Sequence, residues 1–199
     1  MIYSIKNNVN YEMIINKSKF ITLLKKVNNE EDVKTYIENL KNEYKGATHY
    51  CYAYIIDNIK RFDDDKEPNG TAGLPILEVL SKNNLNYVLC VVIRYFGGIK
   101  LGSGGLVRAY SKSAREALKL TKIVELVKGK TIQLSFTYDD IKQVDNILKD
   151  YFISNKQFTE LIIYTVDIKL EKLEEIKKQL NNINTIKIKE LDDIFMENN

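Results

Sequence analysis

The chain has 199 residues, enough for one large domain or two small ones. With 44% hydrophobic and 29% charged residues, it has the composition of an ordinary soluble globular protein. No apolar run approaches the ~20 residues of a membrane span and the N-terminus lacks a signal-peptide pattern, so we expect a cytoplasmic protein. The net charge of +3 is uneven: residues 1–129 carry 20 Lys/Arg against 14 Asp/Glu, and residues 130–199 carry 10 against 13. The basic first part permits a polyanionic partner.

The first 46 residues predict antiparallel strands followed by a helix. Apolar residues recur over 11–15 and 20–24, and the polar residues 16–18 between them predict a turn. Asn29 precedes three acidic residues, which is typical of a helix start. A helical stripe of apolar residues follows and ends before Gly46.

Residues 48–57 predict a strand that places three tyrosines on one face, Tyr50, Tyr52 and Tyr54. These rings either cover a core beneath a helix, which we favour, or stack against nucleobases. His49 is the only histidine, and a lone histidine at a strand start is more often structural than catalytic. Cys51, in the same run, and Cys90 predict reduced core thiols. With one histidine, they do not form the ligand set of a zinc site.

Residues 58–73 are polar and predict a loop with a dense acidic cluster. Its members are Asp63, Asp64, Asp65 and Glu67. Such carboxylates either hold a magnesium ion or supply a general base, or they are simply solvated. Thr71 is placed to cap a following helix that has Pro75 in its first turn.

Residues 87–119 combine an apolar strand, five glycines within nine residues, and an amphipathic helix. From Ser103 onward one helix face is apolar or small and the opposite face is basic. The first face consists of Leu106, Ala109, Tyr110, Ser113, Ala114 and Ala117, and the opposite face of Arg108, Lys112, Arg115 and Lys119.

A glycine-rich turn before a helix N-terminus exposes backbone N–H groups and the positive end of the helix dipole, which suits a phosphate. The spacing matches neither a Walker loop nor a dinucleotide fingerprint, and the alternative is that the glycines only make a tight bend. The predicted nucleic-acid or phosphate contacts are Arg94, Gly97, Gly98, Lys100, Gly102, Ser103, Gly104, Gly105, Arg108 and Lys112.

Beyond a short strand at 123–127, Gly129 looks like a domain boundary because the pattern then restarts as a separate unit. Residues 130–199 predict the order β-α-β-β-α-β, which is the ferredoxin-like arrangement. We therefore predict an α+β protein with an N-terminal domain at 1–128 and a C-terminal domain at 130–199.

Three segments resemble the bacterial YigZ proteins, relatives of the eukaryotic translation regulator IMPACT. They read T-H-Y-C-Y-A at 48–53, E-P-N-G-T-A-G at 67–73 and R-Y-F-G-G-I-K-L-G-S-G-G-L-V-R-A-Y at 94–110. The resemblance spans nearly the whole chain. It implies an N-terminal domain like that of a ribosomal protein and the fourth domain of elongation factor G, followed by a ferredoxin-like domain like the fifth.

The chain departs from the family pattern at four positions. Tyr50 replaces an expected Asn, Asp63 an expected Ser and Lys66 an expected Gly. Leu74 replaces an expected Arg, which weakens an anion site near Thr71.

Two functions follow from these residues and the resemblance. We favour a protein that binds RNA or the ribosome and takes part in the regulation of translation, without a cofactor or a metal. The alternative is a small-molecule or phosphate-ester enzyme in which the turn at 100–105 echoes the phosphate loop of the GHMP kinases. In that case Mg²⁺ would assist, and the catalytic residues would be His49, Asp64, Asp65 and Glu67. A hydrolase built on Ser103 and His49 lacks an assigned orienting acid.

Overall fold

A computed structural model describes residues 1–198 and divides the chain into two compact units. The first unit comprises Met1–Glu125 and the second begins at Leu126. Each unit combines helices with antiparallel strands, so the predicted α+β class is confirmed.

The first unit is built on an antiparallel sheet in the order β2-β3-β6-β4-β5. In chain order its elements are β1 (Ile2–Ile5), β2 (Val9–Ile15), β3 (Ser18–Lys26), α1 (Glu30–Glu43), β4 (His49–Ile56), β5 (Ile59–Asp63), α2 (Gly73–Lys82), β6 (Val88–Tyr95) and α3 (Gly102–Leu118).

Helices cover both faces of this sheet. The side chains of α2 and α3 join one core with Cys51, Cys90 and Val92, whereas α1 covers the residues that alternate with them. Tyr54 is buried on the α1 side, and its hydroxyl donates to Glu30. Since Tyr50 and Tyr52 belong to the same α1-covered face, the interpretation of the tyrosines as a helix-covered core is confirmed.

Local sequence signals account for the β2–β3 turn and the start of α1. Asn16 and Lys17, both with positive φ, form the turn between β2 and β3, as predicted. Asn29 caps α1, because its side-chain oxygen accepts the N–H of Asp32 at 2.8 Å. Both cysteines are buried free thiols, which confirms that prediction.

Two predictions in the first unit are wrong. The segment expected to be entirely loop contains the exposed edge strand β5. Thr71 does not cap α2, because its hydroxyl donates to the backbone oxygen of Pro68 at 2.5 Å. The N-cap residue of α2 is Ala72.

The second unit has the ferredoxin-like order of elements. They are β7 (Ile123–Phe136), a 3₁₀ turn (Tyr138–Asp140) leading into α4 (Ile141–Ile147), β8 (Ile153–Phe158), β9 (Ile162–Lys169), α5 (Leu170–Leu180) and β10 (Lys187–Glu197). The strand order is β10-β7-β9-β8, and all neighbouring pairs are antiparallel. Apolar side chains from β7, β9, α4 and α5 form its core.

The strand expected at 123–127 and the one expected from residue 132 are a single strand. Gly129 lies inside β7, where it pairs with Ile194 and Lys169. A Cβ at this position would lie 2.6 Å from the sulfur of Met196, so the glycine permits close packing within a continuous strand.

Candidate nucleic-acid interface and the buried cluster beside it

Arg94 is not on the surface where a phosphate contact was expected. Its side chain lies on the same face of β6 as Cys90 and Val92, the face covered by α2 and α3, and is only 4% exposed. Nη1 donates to Oε1 of Glu67 at 2.6 Å, and Nη2 donates to Oγ of Ser18 at 3.2 Å. The prediction that Arg94 flanks the glycine turn as an exposed cation is therefore wrong in position, because the strand period directs the side chain inward.

Glu67 is the acceptor at the centre of a buried polar cluster. The Tyr110 hydroxyl donates to Oε1 of Glu67 at 2.8 Å, and Nε2 of His49 lies 3.7 Å from the same oxygen. The Cys51 thiol lies 3.4 Å from the Tyr110 hydroxyl. Burial, followed by the neighbouring Cys51, raises the pKa of Tyr110, so its proton stays in place to serve Glu67. The cluster consists of Ser18, His49, Cys51, Glu67, Arg94 and Tyr110.

Two aromatic rings lie close to the Arg94 guanidinium. Its central carbon lies 5.4 Å from the ring centroid of Phe20 and 5.4 Å from that of Phe96. Within residues 1–198, Nε of Arg94 has no hydrogen-bond partner. Cation–π contacts with two rings therefore supplement the ion pair in holding this charge away from water.

Asp64 caps helix α2 from the preceding loop. Oδ1 accepts the N–H groups of Ala72 at 2.9 Å and Gly73 at 2.8 Å, and Oδ2 accepts the N–H of Gly70 at 2.8 Å. The loop can approach this closely because a Cβ at Gly73 would lie 2.6 Å from the backbone oxygen of Asp63. Asp64 therefore serves the backbone donors of a helix N-terminus, which is the role the sequence assigned to Thr71.

The other predicted acidic residues also have structural partners. Oδ2 of Asp65 accepts the N–H of Tyr50 at 2.6 Å, and the Asp65 backbone oxygen lies 2.7 Å from Nδ1 of His49. Asp63 accepts the N–H of Asp65 at 2.7 Å. Among the described residues, no group of three or more His, Cys, Asp or Glu side chains has the arrangement of a metal site.

The residues of the enzyme alternative are thus used in different ways. His49 and Glu67 meet in the buried cluster, whereas Asp64 accepts backbone N–H groups at the start of α2 and Asp65 accepts the N–H of Tyr50 in β4. Ser103 is exposed on the first turn of α3 and has no hydrogen bond to His49 in the described part of the chain. No local pattern in the sequence indicates these pairings, since Glu67 and Arg94 are 27 positions apart.

The glycine turn, residues 96–105, is anchored at its start. The N–H of Phe96 donates to Oγ1 of Thr48 at 3.0 Å, and the N–H of Gly97 donates to Oγ of Ser18 at 3.2 Å. Gly98 has φ +84° and a Cβ there would meet open space, so this part of the turn faces outward. A fixed start and an open middle are what a backbone-contacting site requires.

The predicted face of α3 is confirmed as its buried side, because all six residues named for it are buried. The opposite side and the preceding turn expose a set of cations, which we call the basic face. Nη1 of Arg108 lies 3.4 Å from the Cβ position of Gly104, so its guanidinium lies over the first turn of α3. The basic face consists of Lys100, Arg108, Lys112, Arg115 and Lys119.

Comparisons with known proteins agree with this architecture. Residues 16–118 match the model of the Impact N-terminal domain. The IMPACT family member YvyE of Bacillus subtilis is 36% identical, covering 91% of this chain and 96% of YvyE. The IMPACT family member YigZ of Escherichia coli is 32% identical, covering 83% and 85%. A crystal structure of a hypothetical protein is 28% identical, with 96% and 97% coverage and a TM-score of 0.66.

The fold and the matched segment define a two-unit α+β protein with an Impact-type first unit. The chain belongs to the IMPACT family. Over the residues that the structure describes, no helix is both long enough and apolar enough to cross a membrane.

Proposed function

We propose that this protein is a cytoplasmic RNA-binding protein that associates with the ribosome and takes part in the regulation of translation. The basic face and the glycine turn would contact the phosphate backbone.

The observation that carries the proposal is the unpaired charge of the basic face. Among residues 1–198, no carboxylate lies within 4.0 Å of the charged groups of Lys100, Arg108, Lys112 or Arg115, all of which are exposed. Exposed lysines elsewhere in the described part of the chain either have carboxylate partners, as at positions 82, 156 and 172, or lack them, as at 34, 41 and 45, so the distinguishing feature of the basic face is that four cations without carboxylate partners lie together on one turn and one helix. Unpaired cations at one surface are free to neutralise phosphates.

The one acid on this part of α3 reports the same positive field. The pKa of Glu116 is lowered, first by its hydrogen bond from Lys119, and also by the nearby charges of Lys112 and Arg115. Glu116 is thus held ionised first by its pair with Lys119, and the neighbouring cations of the basic face act in the same direction.

The link to translation rests on the family. The chain belongs to the IMPACT family, and its resemblance to a eukaryotic translation regulator points to the ribosome as the source of the RNA. The analogy with two consecutive domains of elongation factor G points the same way at the level of fold alone.

The test removes three charges from the proposed surface. We expect the variant Lys100→Ala, Arg108→Ala, Lys112→Ala to lose ribosome co-sedimentation. When RNA binding is measured by fluorescence anisotropy, the logarithm of the binding constant falls linearly with the logarithm of the salt concentration. The magnitude of this salt slope should be smaller in the variant by about 3, or about 1 for each lost phosphate contact.

A matched control removes three exposed lysines from the α1 side of the same unit, Lys34→Ala, Lys41→Ala, Lys45→Ala. This variant has the same net charge as the test variant and should bind as the parent does. Equal loss in both triple variants would show only a dependence on net charge. No binding by the parent at low salt would refute the proposal.

A further inference from the structure

Phe96 is an exposed aromatic residue at the start of the glycine turn. We infer that it is a stacking platform for an unpaired nucleobase, so that the RNA recognised at the basic face is single-stranded. The inference rests on the proposed function and names the class of RNA that it requires.

The ring of Phe96 is 45% exposed although one of its faces lies on Arg94. The guanidinium next to it is fixed by Glu67 and Ser18 and also lies 5.4 Å from the ring centroid of Phe20. The Phe96 ring thus rests on a fixed, buried cation and still exposes part of its surface to solvent. A nucleobase would stack on this exposed part of the ring.

The platform is held in place before any ligand arrives. The backbone of residues 96 and 97 is fixed by hydrogen bonds to Thr48 and Ser18. A Cβ at Gly97 would lie 2.1 Å from the backbone of Lys17, so the turn is tightly seated on the β2–β3 turn. A ring fixed in this way loses little conformational entropy when a base stacks on it.

The surroundings of the ring favour RNA over a protein partner. Lys100 is exposed and unpaired four residues further on, and Gly98 leaves the backbone open to close approach. The unpaired Arg108 lies over the first turn of α3, where the glycine turn ends. An aromatic ring followed by unpaired cations and open backbone is the combination that binds bases and phosphates of a single strand.

Stacking on Phe96 requires a base that is not already stacked in a helix. In duplex RNA the bases are enclosed, and sequence-independent contact is limited to phosphates and 2′-hydroxyls. We therefore expect single-stranded RNA to bind more tightly than duplex RNA of the same length, and the difference to depend on the ring.

The chain contains no tryptophan, so Phe96→Trp introduces a single fluorescent reporter. The probes are a single-stranded oligoadenylate of about ten nucleotides, long enough for one binding surface, and a duplex of equal length. We expect saturating oligoadenylate to quench the emission and saturating duplex to leave it nearly unchanged. Anisotropy of labelled RNA establishes saturation independently.

A second variant measures the contribution of the ring. Phe96→Leu keeps an apolar cover over Arg94 but removes the aromatic face. We expect at least about a fivefold loss of affinity for the single strand, the lower end of a base-stacking contribution, with an unchanged salt slope because no charge is lost. Phe158→Leu removes an exposed ring from β8 of the second unit and should have no effect.

The outcomes separate this inference from the proposed function. RNA binding by the parent together with unquenched emission, or with unaltered affinity in Phe96→Leu, overturns the stacking platform while the basic face stands. Loss of ribosome binding in Phe96→Leu without loss of oligoadenylate binding also overturns it and identifies the ring as a protein contact. If the parent binds no RNA, the inference and the proposed function fail together.

Discussion

The guanidinium of Arg94 and the carboxylate of Glu67 form an ion pair of 2.6 Å in which each side chain is only 4% exposed. This pair joins the central strand β6 to the loop before α2. The Arg94 guanidinium also lies 5.4 Å from the ring centroid of Phe96, so the pair is in contact with the start of the glycine turn. The segment 94–110 looks like an exposed basic site in the sequence, but its first residue, Arg94, is part of the core.

We expect Glu67→Gln to lower the free energy of unfolding by about 3–5 kcal/mol, because it leaves the charge of Arg94 buried without a counterion. The double variant Arg94→Met, Glu67→Leu should be destabilised less than the sum of its single variants, since both charges are removed together. Urea unfolding gives the energies, and hydrogen exchange of the β6 amides assigns the loss to the first unit. Additive losses would mean that the two charges do not stabilise each other.

Asp64 is predicted to matter for stability and not for catalysis. Asp64→Ala leaves three backbone N–H groups at the start of α2 without their acceptor, and we expect a loss of about 2 kcal/mol. Thermal or urea unfolding measures the change. Asp57→Asn is the charge-matched control in an exposed turn and should remain within about 0.5 kcal/mol of the parent. RNA binding should be unaltered in both variants at temperatures where they are folded.

Local periodicity sufficed to predict much of the architecture. The alternation along β4 placed Tyr54 under a helix, and the 3.6-residue pattern of α3 separated its buried residues from Arg108 and Lys112. The ferredoxin-like order of the second unit also followed from the succession of apolar patterns. These features depend on neighbours within one element, which a sequence displays directly.

The buried cluster could not be predicted in the same way. Arg94 and Glu67 come from separate elements, and only the packing of α2 and α3 on one face of the sheet brings them together. The carboxylates near Asp64 look like a solvated or metal-binding set because their hydrogen-bond donors are backbone N–H groups, which carry no sequence signal. The period-2 alternation of β6 was the available clue that Arg94 points inward beside Cys90 and Val92.

Gly97 and Gly98 are predicted to resist substitution for different reasons. Gly97→Ala places a Cβ against the backbone of Lys17, which must move, so we expect a loss of at least about 2 kcal/mol and weaker RNA binding. The Cβ of Gly98→Ala meets open space, but the residue must keep φ at +84°, which costs about 1 kcal/mol. Asparagine tolerates this φ better than alanine, so we expect a smaller loss of stability in Gly98→Asn. Unfolding energies of the three variants test this order. Equal losses at both positions would argue against the close seating of the turn.

Cys51 and Cys90 are predicted to be unreactive until the first unit unfolds. Burial raises the pKa of both thiols, so the reactive thiolate is scarce in the folded chain at mildly alkaline pH. The stabilising contribution of the neutral thiols is complete below the ordinary thiol pKa. It is lost as the pH rises above that value, because the unfolded chain then releases protons that the folded chain retains.

Ellman's reagent should modify neither thiol under native conditions and both in urea, and Cys90→Ala identifies which thiol reacts. Rapid modification of Cys51 in the native protein would show that the buried cluster opens without global unfolding.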